Sequence, residues 1–231
     1  MKIDGSTALV TGANRGIGRH LTTQLLARGA TVYAGARNPD ALDIPGARAV
    51  ALDITDPVSV TKAAEVATDV TILINNAGSS TGTDLLGDID NIRLEMDTHF
   101  FGTLSVTRAF VPVIAANGGG SIFNMLSVVS WLSRPASGAY CAAKSAEWSM
   151  TNALRVQLVE KNIRVLGLHV GLVDTDMVAH STAPKSDPAL IAKLALDGIE
   201  QDEYEILADS MSQQVQAGLA GGIPSLYPEL P

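Results

Sequence analysis

Short runs of β-branched and apolar residues alternate along this chain with longer segments of helical periodicity, and this alternation limits the possible folds more than any other feature. Several runs are apolar nearly throughout, as are strands of a parallel sheet that is covered on both faces. Strands that alternate with helices over short connections predict a doubly wound α/β sheet. The predicted strands are residues 6–11, 31–36, 47–52, 70–75, 121–126, 163–170 and 204–207.

Helical periodicity predicts helices at residues 17–28, 57–68, 88–117, 137–161 and 187–200, followed by a C-terminal helix. A chain of 231 residues fits one α/β domain, so we expect a single domain over 1–231. Residues 171–188 form a long irregular connection, and we expect this segment to be a substrate loop. The tail, 221–231, carries three prolines and should be poorly ordered or docked as coil.

Charge and composition exclude several classes of partner. The net charge is −8 and no basic run occurs, which argues against nucleic acids and anionic membranes. No apolar run reaches the length that we expect of a membrane-spanning helix. Cys141 is the single cysteine, so no internal disulfide can form; we expect it to be packed, and the protein to be soluble and cytoplasmic.

A glycine-rich turn, Thr11–Gly18, joins the first predicted strand to the first helix. Its spacing is Gly-x-x-x-Gly-x-Gly rather than the common Gly-x-Gly-x-x-Gly. Glycines there let the backbone approach a pyrophosphate, which the free N–H groups of the helix start then bind. The position favours a nucleotide site over a plain turn.

The residue after the second strand indicates the cofactor. NAD sites usually place an acid there, whereas this chain has Arg37. With Arg15 it could clamp a 2′-phosphate, which predicts NADP(H) over NAD(H); the alternative is that both arginines are solvated. Asp53 is placed to meet the adenine, or else caps a helix. The segment Asn75–Gly78 suits close passage past a cofactor, and a hairpin turn is its alternative.

Tyr140 and Lys144 are four residues apart, which places both on one face of a helix. The ammonium should lower the pKa of the phenol, so that Tyr140 can exchange a proton near neutral pH. Ser127 could supply a hydroxyl to the same substrate oxygen. Taken alone, the tyrosine–lysine spacing could be an accident of a helical surface.

Together these motifs resemble the short-chain dehydrogenase/reductase family, whose fold is a Rossmann-type sheet, over residues 6 to about 177. The resemblance implies hydride transfer between a nicotinamide and a carbonyl or alcohol carbon. It implies that Tyr140 is the acid and base, that Lys144 also binds the nicotinamide ribose, and that Ser127 holds the substrate oxygen. The implied cofactor-binding residues are Gly12, Asn14, Arg15, Gly16, Ile17, Gly18, Arg37, Asp53, Ile54, Asn76, Ala77, Gly78, Tyr140, Lys144, Gly171, Val173 and Thr175.

Two positions depart from the family pattern. His99 stands where the family has an asparagine that kinks the long helix predicted at 88–117 and holds a water for the lysine. His99 could hold that water, relay the proton itself as a further catalytic residue, or be a satisfied core histidine. Val170 replaces a proline before Gly171, which should make the loop less rigid. The other histidines show no metal-ligand spacing, and no metal is assigned.

The substrate is predicted only as a small carbonyl or alcohol, in a mostly apolar pocket. Two other functions stay open: a regulatory protein that binds NADP without turnover, and a methyltransferase, which would leave Ser127, Tyr140 and Lys144 without a role. The resemblance also implies a homodimer or homotetramer formed through the long helices. Candidate pocket residues are Val129, Trp131, Leu132, Leu172, Met177 and His180, with Arg134 as a weak carboxylate partner.

Overall fold

A seven-stranded parallel sheet forms the centre of the protein, in a computed structural model that describes residues 1–230. The strand order is β3-β2-β1-β4-β5-β6-β7, so the direction of winding reverses between β1 and β4. The predicted Rossmann-type, doubly wound sheet is therefore confirmed. Its strands are β1 (Thr7–Thr11), β2 (Thr31–Ala36), β3 (Arg48–Ala51), β4 (Ile72–Asn75), β5 (Gly120–Met125), β6 (Ile163–His169) and β7 (Glu205–Leu207).

Helices cover both faces of this sheet. One apolar layer joins α1 and α6 to the sheet through residues such as Leu25 and Ile191, and the other joins α2, α4 and α5 through residues such as Phe110. The helices are α1 (Gly16–Ala27), α2 (Pro57–Val66), α3 (Ile89–Met96), α4 (Thr103–Ala116), α5 (Gly138–Gln157), α6 (Pro188–Glu200), α7 (Ser210–Gly218) and α8 (Ile223–Leu226).

Local sequence explains where several helices begin. Asp56 caps α2 by accepting a hydrogen bond from the Val58 amide at 2.9 Å, and Pro57 fits the first turn because that turn needs no N–H donor. Asp187 caps α6 in the same way, before Pro188. These caps set the residues at which the connections from the carboxyl edge of the sheet end and the helices begin.

The helix predicted at 88–117 contains an irregular segment. α3 and α4 are joined without a break by a π-helical turn, Asp97–Gly102, which carries His99. The continuous helix Ile89–Ala116 is long and apolar enough to cross a membrane, contrary to the expectation that no such run exists. Buried helices of folded proteins meet the same measure, and Val106, Phe110 and Ile114 lie fully buried in the core.

The C-terminal tail is more regular than predicted. Its residues include the short helix α8, and the Tyr227 hydroxyl accepts a hydrogen bond of 2.6 Å from the Ser133 amide. The expectation of coil is therefore wrong for this part of the tail, because the tyrosine side chain anchors it beside the site. Pro231, the last residue of the predicted tail, lies outside the described residues.

Candidate active site

The glycine turn lies outside β1, at the point where the strand order reverses. Gly12 has a φ of +64°, and a side chain there would place its Cβ 2.9 Å from the Ala77 Cα. Gly16 also has positive φ, at +52°, and opens α1. The glycines are thus needed for a tight turn packed against the segment that follows β4, at the edge where doubly wound sheets bind ligands.

The start of α1 can accept an anion. Arg15 occupies the cap position without a side-chain cap bond, and the first turn contains no acidic residue. The first N–H groups of α1 therefore point, without a competing carboxylate, to the place that a pyrophosphate occupies in such folds. These features fit a dinucleotide.

Arg15 and Arg37, the predicted phosphate clamp, have different surroundings. The Arg15 guanidinium lies 2.9 Å from the Asp176 carboxylate, and both side chains are mostly exposed, so this pair contributes little to stability. Arg37 is exposed after β2 and forms no ion pair within residues 1–230. Hydrogen bonds from Thr55 lower the pKa of the Asp53 carboxyl, and the Arg37 charge lowers it further.

The segment Asn75–Gly78 is braced on the glycine turn. The Thr11 hydroxyl accepts hydrogen bonds from the amides of Asn76 (2.9 Å) and Ala77 (3.0 Å), and the Asn76 side chain donates to the Thr11 carbonyl. The segment follows a central parallel strand and forms no hairpin, so that alternative is wrong. These hydrogen bonds hold the glycine turn and the segment Asn75–Gly78 together as the two walls of the crevice predicted for the cofactor.

Ser127 and Tyr140 lie on neighbouring pieces of backbone. Ser127 follows β5 and caps the turn Val128–Ser130, where its Oγ accepts from the Val129 amide at 3.3 Å. Tyr140 lies in the first turn of α5 and packs against the same cluster as Val128 and Val129. The structure thus places Tyr140 against the turn that Ser127 caps.

Lys144 is buried and has two close partners. Its Nζ donates to the Met125 carbonyl and to Glu147 Oε2, each at 2.7 Å. Glu147 is also buried, and its other oxygen accepts from the Thr103 hydroxyl at 3.4 Å. Burial alone would lower the pKa of the Lys144 ammonium, but the charge and hydrogen bond of Glu147, with the charges of Tyr140 and Glu95, together outweigh burial and raise this pKa above its usual value.

The predicted effect on Tyr140 is wrong in this structure. Burial raises the pKa of the Tyr140 phenol; Lys144 lowers it, but Glu147 and Glu95 add to the rise, so that the pKa lies above its usual value. The main physical reason is burial of the phenol. In addition Lys144, with its Nζ 5.9 Å from the centre of the Tyr140 ring, is paired with Glu147. The carboxylate offsets the ammonium at the phenol.

His99 is buried beside Tyr140, with the two rings edge to face and their centres 5.0 Å apart. Its Nε2 lies 2.8 Å from the Ser79 carbonyl oxygen and 3.4 Å from Glu95 Oε2. Glu95 is fully buried and accepts a hydrogen bond from the Thr81 amide. Burial raises the pKa of the Glu95 carboxyl, but His99 and the Thr81 amide outweigh burial and lower it.

The loop after β6 returns to the glycine turn. The Thr175 methyl group lies close enough to Gly16 that a Cβ there would approach it to 3.2 Å. The Gly171 amide donates to Asp209 Oδ2 at 2.8 Å, and the Val170 carbonyl accepts from the Val128 amide at 3.0 Å. The start of the loop is thus fixed on both sides, although Val170 replaces a proline.

Two pocket candidates pack into the interior instead. The Trp131 ring stacks on His169 with the ring centres 3.7 Å apart, and Val129 is buried with Val128 and Cys141. His169 approaches the Ser127 carbonyl oxygen at 3.0 Å, so Trp131 supports the backbone behind Ser127. The packed interpretation of Cys141 is confirmed. Met177 and His180 are exposed on the loop and stay predictions.

Several residues that contact the site escaped the sequence prediction, above all Glu95 and Glu147. Each lies three or four residues from a predicted site residue on the same helix, a spacing that could have indicated a pair. Ile54 packs its side chain toward Gly102, so only its backbone is left for the predicted cofactor contact. Among residues 1–230, no three His, Cys, Asp or Glu side chains converge as ligands of a metal ion.

A family model described as short chain dehydrogenase matches residues 6–186. The chain belongs to the short-chain dehydrogenase/reductase family. It is accordingly an NAD(P)-dependent oxidoreductase, and the glycine turn and the start of α1 fit its nicotinamide cofactor.

Solved structures and curated relatives agree with this family membership. A short chain dehydrogenase from Burkholderia cenocepacia, in complex with NADP, has a TM-score of 0.95 and 36% identity and covers 100% of this chain and 99% of its own. An NADP-dependent 3-hydroxy acid dehydrogenase of Schizosaccharomyces pombe is 28% identical over 91% of this chain and 93% of its own. A family member from Burkholderia phymatum in complex with NAD shares the fold, with a TM-score of 0.87 at 22% identity over 100% of this chain and 99% of its own.

Proposed function

We propose that this protein is an NADP(H)-dependent oxidoreductase that interconverts a carbonyl compound and a primary or secondary alcohol, with Tyr140 as its acid and base. The observation that carries the proposal is the placement of Tyr140 above the buried ammonium of Lys144, beside Ser127. These groups adjoin the braced crevice where a nicotinamide cofactor fits.

Each side chain has a separate task in this proposal. The Ser127 hydroxyl donates to the substrate oxygen, on which negative charge develops. Tyr140, whose raised pKa keeps the phenol protonated at neutral pH, gives its proton to that oxygen in reduction. The bound cofactor supplies the hydride. Lys144 holds a positive charge below the phenol as the proton leaves it.

The preference for NADP(H) is supported by Arg37. Its guanidinium is exposed directly after β2, where a carboxylate would serve the ribose hydroxyls of NAD. The Burkholderia cenocepacia relative binds NADP and the Schizosaccharomyces pombe relative is named as NADP-dependent. Two neighbours in complex with NADH have 25% and 26% identity, below the 36% of the NADP-bound relative, and the NAD-bound relative from Burkholderia phymatum, at 22% identity, supports the fold alone.

The phenylalanine variant of Tyr140 tests the mechanism. Tyr140→Phe removes only the exchangeable proton, so we expect turnover of NADPH with a reactive carbonyl to fall by about 10²–10⁴-fold, the usual worth of a positioned acid. The affinity for NADPH, measured by fluorescence titration, should change less than about twofold. Tyr204→Phe, at an exposed tyrosine, is the matched control and should retain full turnover. Normal turnover of the Tyr140 variant would disprove the mechanism.

A second candidate is a regulatory protein that binds NADP and turns over slowly. The pairing of Lys144 with Glu147 favours it, since this pair leaves the pKa of the Tyr140 phenol raised. NADPH oxidation measured against a panel of ketones and aldehydes separates the two functions. Turnover with any member supports the enzyme, whereas tight binding of NADPH without turnover across the panel supports the regulator.

The proposal includes a cytoplasmic location and a small-molecule substrate. A lone buried cysteine suits a reducing compartment, because the chain can form no internal disulfide. The exposed loop residues Met177 and His180, after the Gly171 turn, are where we place the variable part of the substrate.

A further inference from the structure

Three neighbouring residues each have one buried polar atom without a hydrogen-bond partner within residues 1–230. The atoms are Thr81 Oγ1, Glu95 Oε2 and His99 Nδ1, and the His99 ring contacts Tyr140. Buried polar atoms without partners are rare, and a cluster of them points to a function. The hydride-transfer mechanism does not use Glu95, a fully buried carboxylate whose burial is costly.

The contacts of His99 fix its tautomer. Nε2 lies 2.8 Å from the Ser79 carbonyl oxygen, which can only accept, so Nε2 must carry a hydrogen. Glu95 Oε2 lies 3.4 Å from the same nitrogen, which places a negative charge on the protonated side of the ring. In the neutral ring the lone pair is therefore on Nδ1.

The edge of the ring that carries Nδ1 faces Gly78. A Cβ at Gly78 would lie 2.8 Å from His99 Cε1 and 3.5 Å from Nδ1, so only glycine leaves room for the ring there. Gly78 ends the braced segment Asn75–Gly78, and the Tyr140 ring lies edge to face with the His99 ring, 5.0 Å away between centres. The unpartnered acceptor thus lies against this segment, on a ring that also contacts the proposed acid.

The carboxylate side of this cluster lies near solvent. The Thr81 amide donates to Glu95, and the half-buried Thr81 is followed by the mostly exposed residues 82–88, which lead into α3. Glu95 in turn lies against His99, and His99 against the Tyr140 ring.

We propose, on the basis of the function above, that Glu95 positions His99 and that this carboxylate–imidazole pair resupplies Tyr140 with protons from solvent. In reduction the Tyr140 O–H bond breaks and its proton joins the substrate oxygen. The phenolate then takes a proton through water from Nδ1 of the protonated His99 ring, which leaves the ring neutral with its hydrogen on Nε2. Nδ1 then takes up one proton from solvent. One solvent proton is consumed for each carbonyl reduced, and oxidation runs the route in reverse.

The charges around the pair leave the Glu95 carboxylate without a lysine or arginine partner. From α5, the Lys144 ammonium is offset by Glu147 at 2.7 Å, and Tyr140 and the Cys141 thiol are the other titratable groups that face the site. Glu95, from α3, then remains as the unbalanced negative charge, and a protonated His99 would balance it. The lowered pKa of the Glu95 carboxyl agrees with an ionised group at this position.

The test compares Glu95→Gln and His99→Asn in the full chain, with the exposed Glu160→Gln as control. Nitrogen-15 NMR of the histidine rings, assigned with the His99 variant, should show the Nε2–H form in the wild-type protein. In Glu95→Gln the pH midpoint of His99 should fall by about one unit or more, because an adjacent negative charge is lost. The control should keep the wild-type midpoint.

Activity gives the second measurement. For NADPH-driven reduction we expect Glu95→Gln to lower kcat about tenfold, less than the loss of the acid itself, and to move the pH profile of kcat with the His99 midpoint. His99→Asn should lower kcat at least as much as Glu95→Gln and should remove the inflection that Glu95→Gln moves, since an amide can hold the Ser79 contact but cannot titrate. KM for NADPH should change less than about twofold in both.

An unchanged His99 midpoint and pH profile in Glu95→Gln would overturn the inference. If that variant fails to fold, a neutral-range ionisation that persists in His99→Asn would overturn it equally. Failure of the proposed function has a different signature: Tyr140→Phe would turn over normally, or no carbonyl would be reduced, while the NMR titration would still report on the pair.

Discussion

The positive charge of Lys144 is balanced by the carboxylate of Glu147. The ammonium is bound to Glu147 and to the Met125 carbonyl, and its raised pKa keeps it protonated throughout the neutral range. A group that holds its proton so firmly is suited to electrostatic support rather than to proton delivery. At the scale of single residues, this leaves the delivery of protons to another group, and we propose His99, whose ring contacts Tyr140.

Selectivity between cofactors depends, in our proposal, on the charge of one exposed side chain. Arg37→Asp replaces the positive charge after β2 with a carboxylate that would repel a 2′-phosphate and accept from ribose hydroxyls. We expect the ratio of kcat/KM for NADPH to that for NADH to fall by about 10²-fold, which corresponds to about 2.7 kcal/mol. Lys161→Asp makes the same change of charge before β6, at the opposite edge of the sheet, and should leave the ratio unaltered. An unaltered ratio in the Arg37 variant would refute the assignment.

At the scale of single residues, the sequence predicts which residues form the site better than it predicts their pKa shifts. Tyr140, Lys144 and Ser127 could be identified because their spacing and order are specific even before folding. The direction of the Tyr140 pKa shift could not be predicted from the sequence. It depends on burial of the phenol, on Glu147, which pairs with Lys144, and on Glu95, which reaches the phenol from another helix. Both acids occur in helices where a charged residue is usually interpreted as a solvated surface group.

Among the elements, the π-helical turn at Asp97–Gly102 is the one that local sequence could not predict. The periodicity of residues 88–117 is that of one helix, and the ends of that helix were predicted to within about a residue. The turn is stabilised by contacts distant in sequence: His99 with the Ser79 carbonyl, and Gly102 against the Ile54 side chain. Such turns widen a helix locally, and this one places the His99 side chain in the site.

The N-terminal cap of α7 has a second role in holding the loop that follows β6. Asp209 accepts from the Ser212 amide at 2.7 Å and from the Gly171 amide at 2.8 Å, whereas Asp187 only caps α6. Asp209→Ala should therefore cost about 3 kcal/mol of unfolding free energy, against about 1 kcal/mol for Asp187→Ala, as measured by urea unfolding. The Asp209 variant should also raise KM for substrate, because the start of the loop is released. Equal losses in the two variants would show that the Gly171 bond contributes nothing.

At the scale of the whole molecule, one face of the structure has apolar residues that the fold itself does not cover. α4, α5 and the π-helical turn form a groove lined by residues such as Phe100, Leu104, Met150 and Ala153. Phe101 is 54% exposed and Val156 is 78% exposed on the same helices. Exposed apolar residues concentrated on one face are typical of interfaces, and the family resemblance implies pairing of these helices in a homodimer or homotetramer.

A charge placed in this groove tests that assembly. Because a symmetric interface repeats each substitution, Ala153→Arg should bury two unpaired cations and reduce the assembled fraction. Sedimentation velocity should show the wild-type protein at two or four times the 24.1 kDa of one chain, and Ala153→Arg at a smaller multiple. Ala49→Arg, on the exposed edge strand β3, carries the same change away from the groove and should sediment as the wild type. A wild-type protein that sediments at 24.1 kDa, or two variants that behave alike, would exclude the α4–α5 face as the interface.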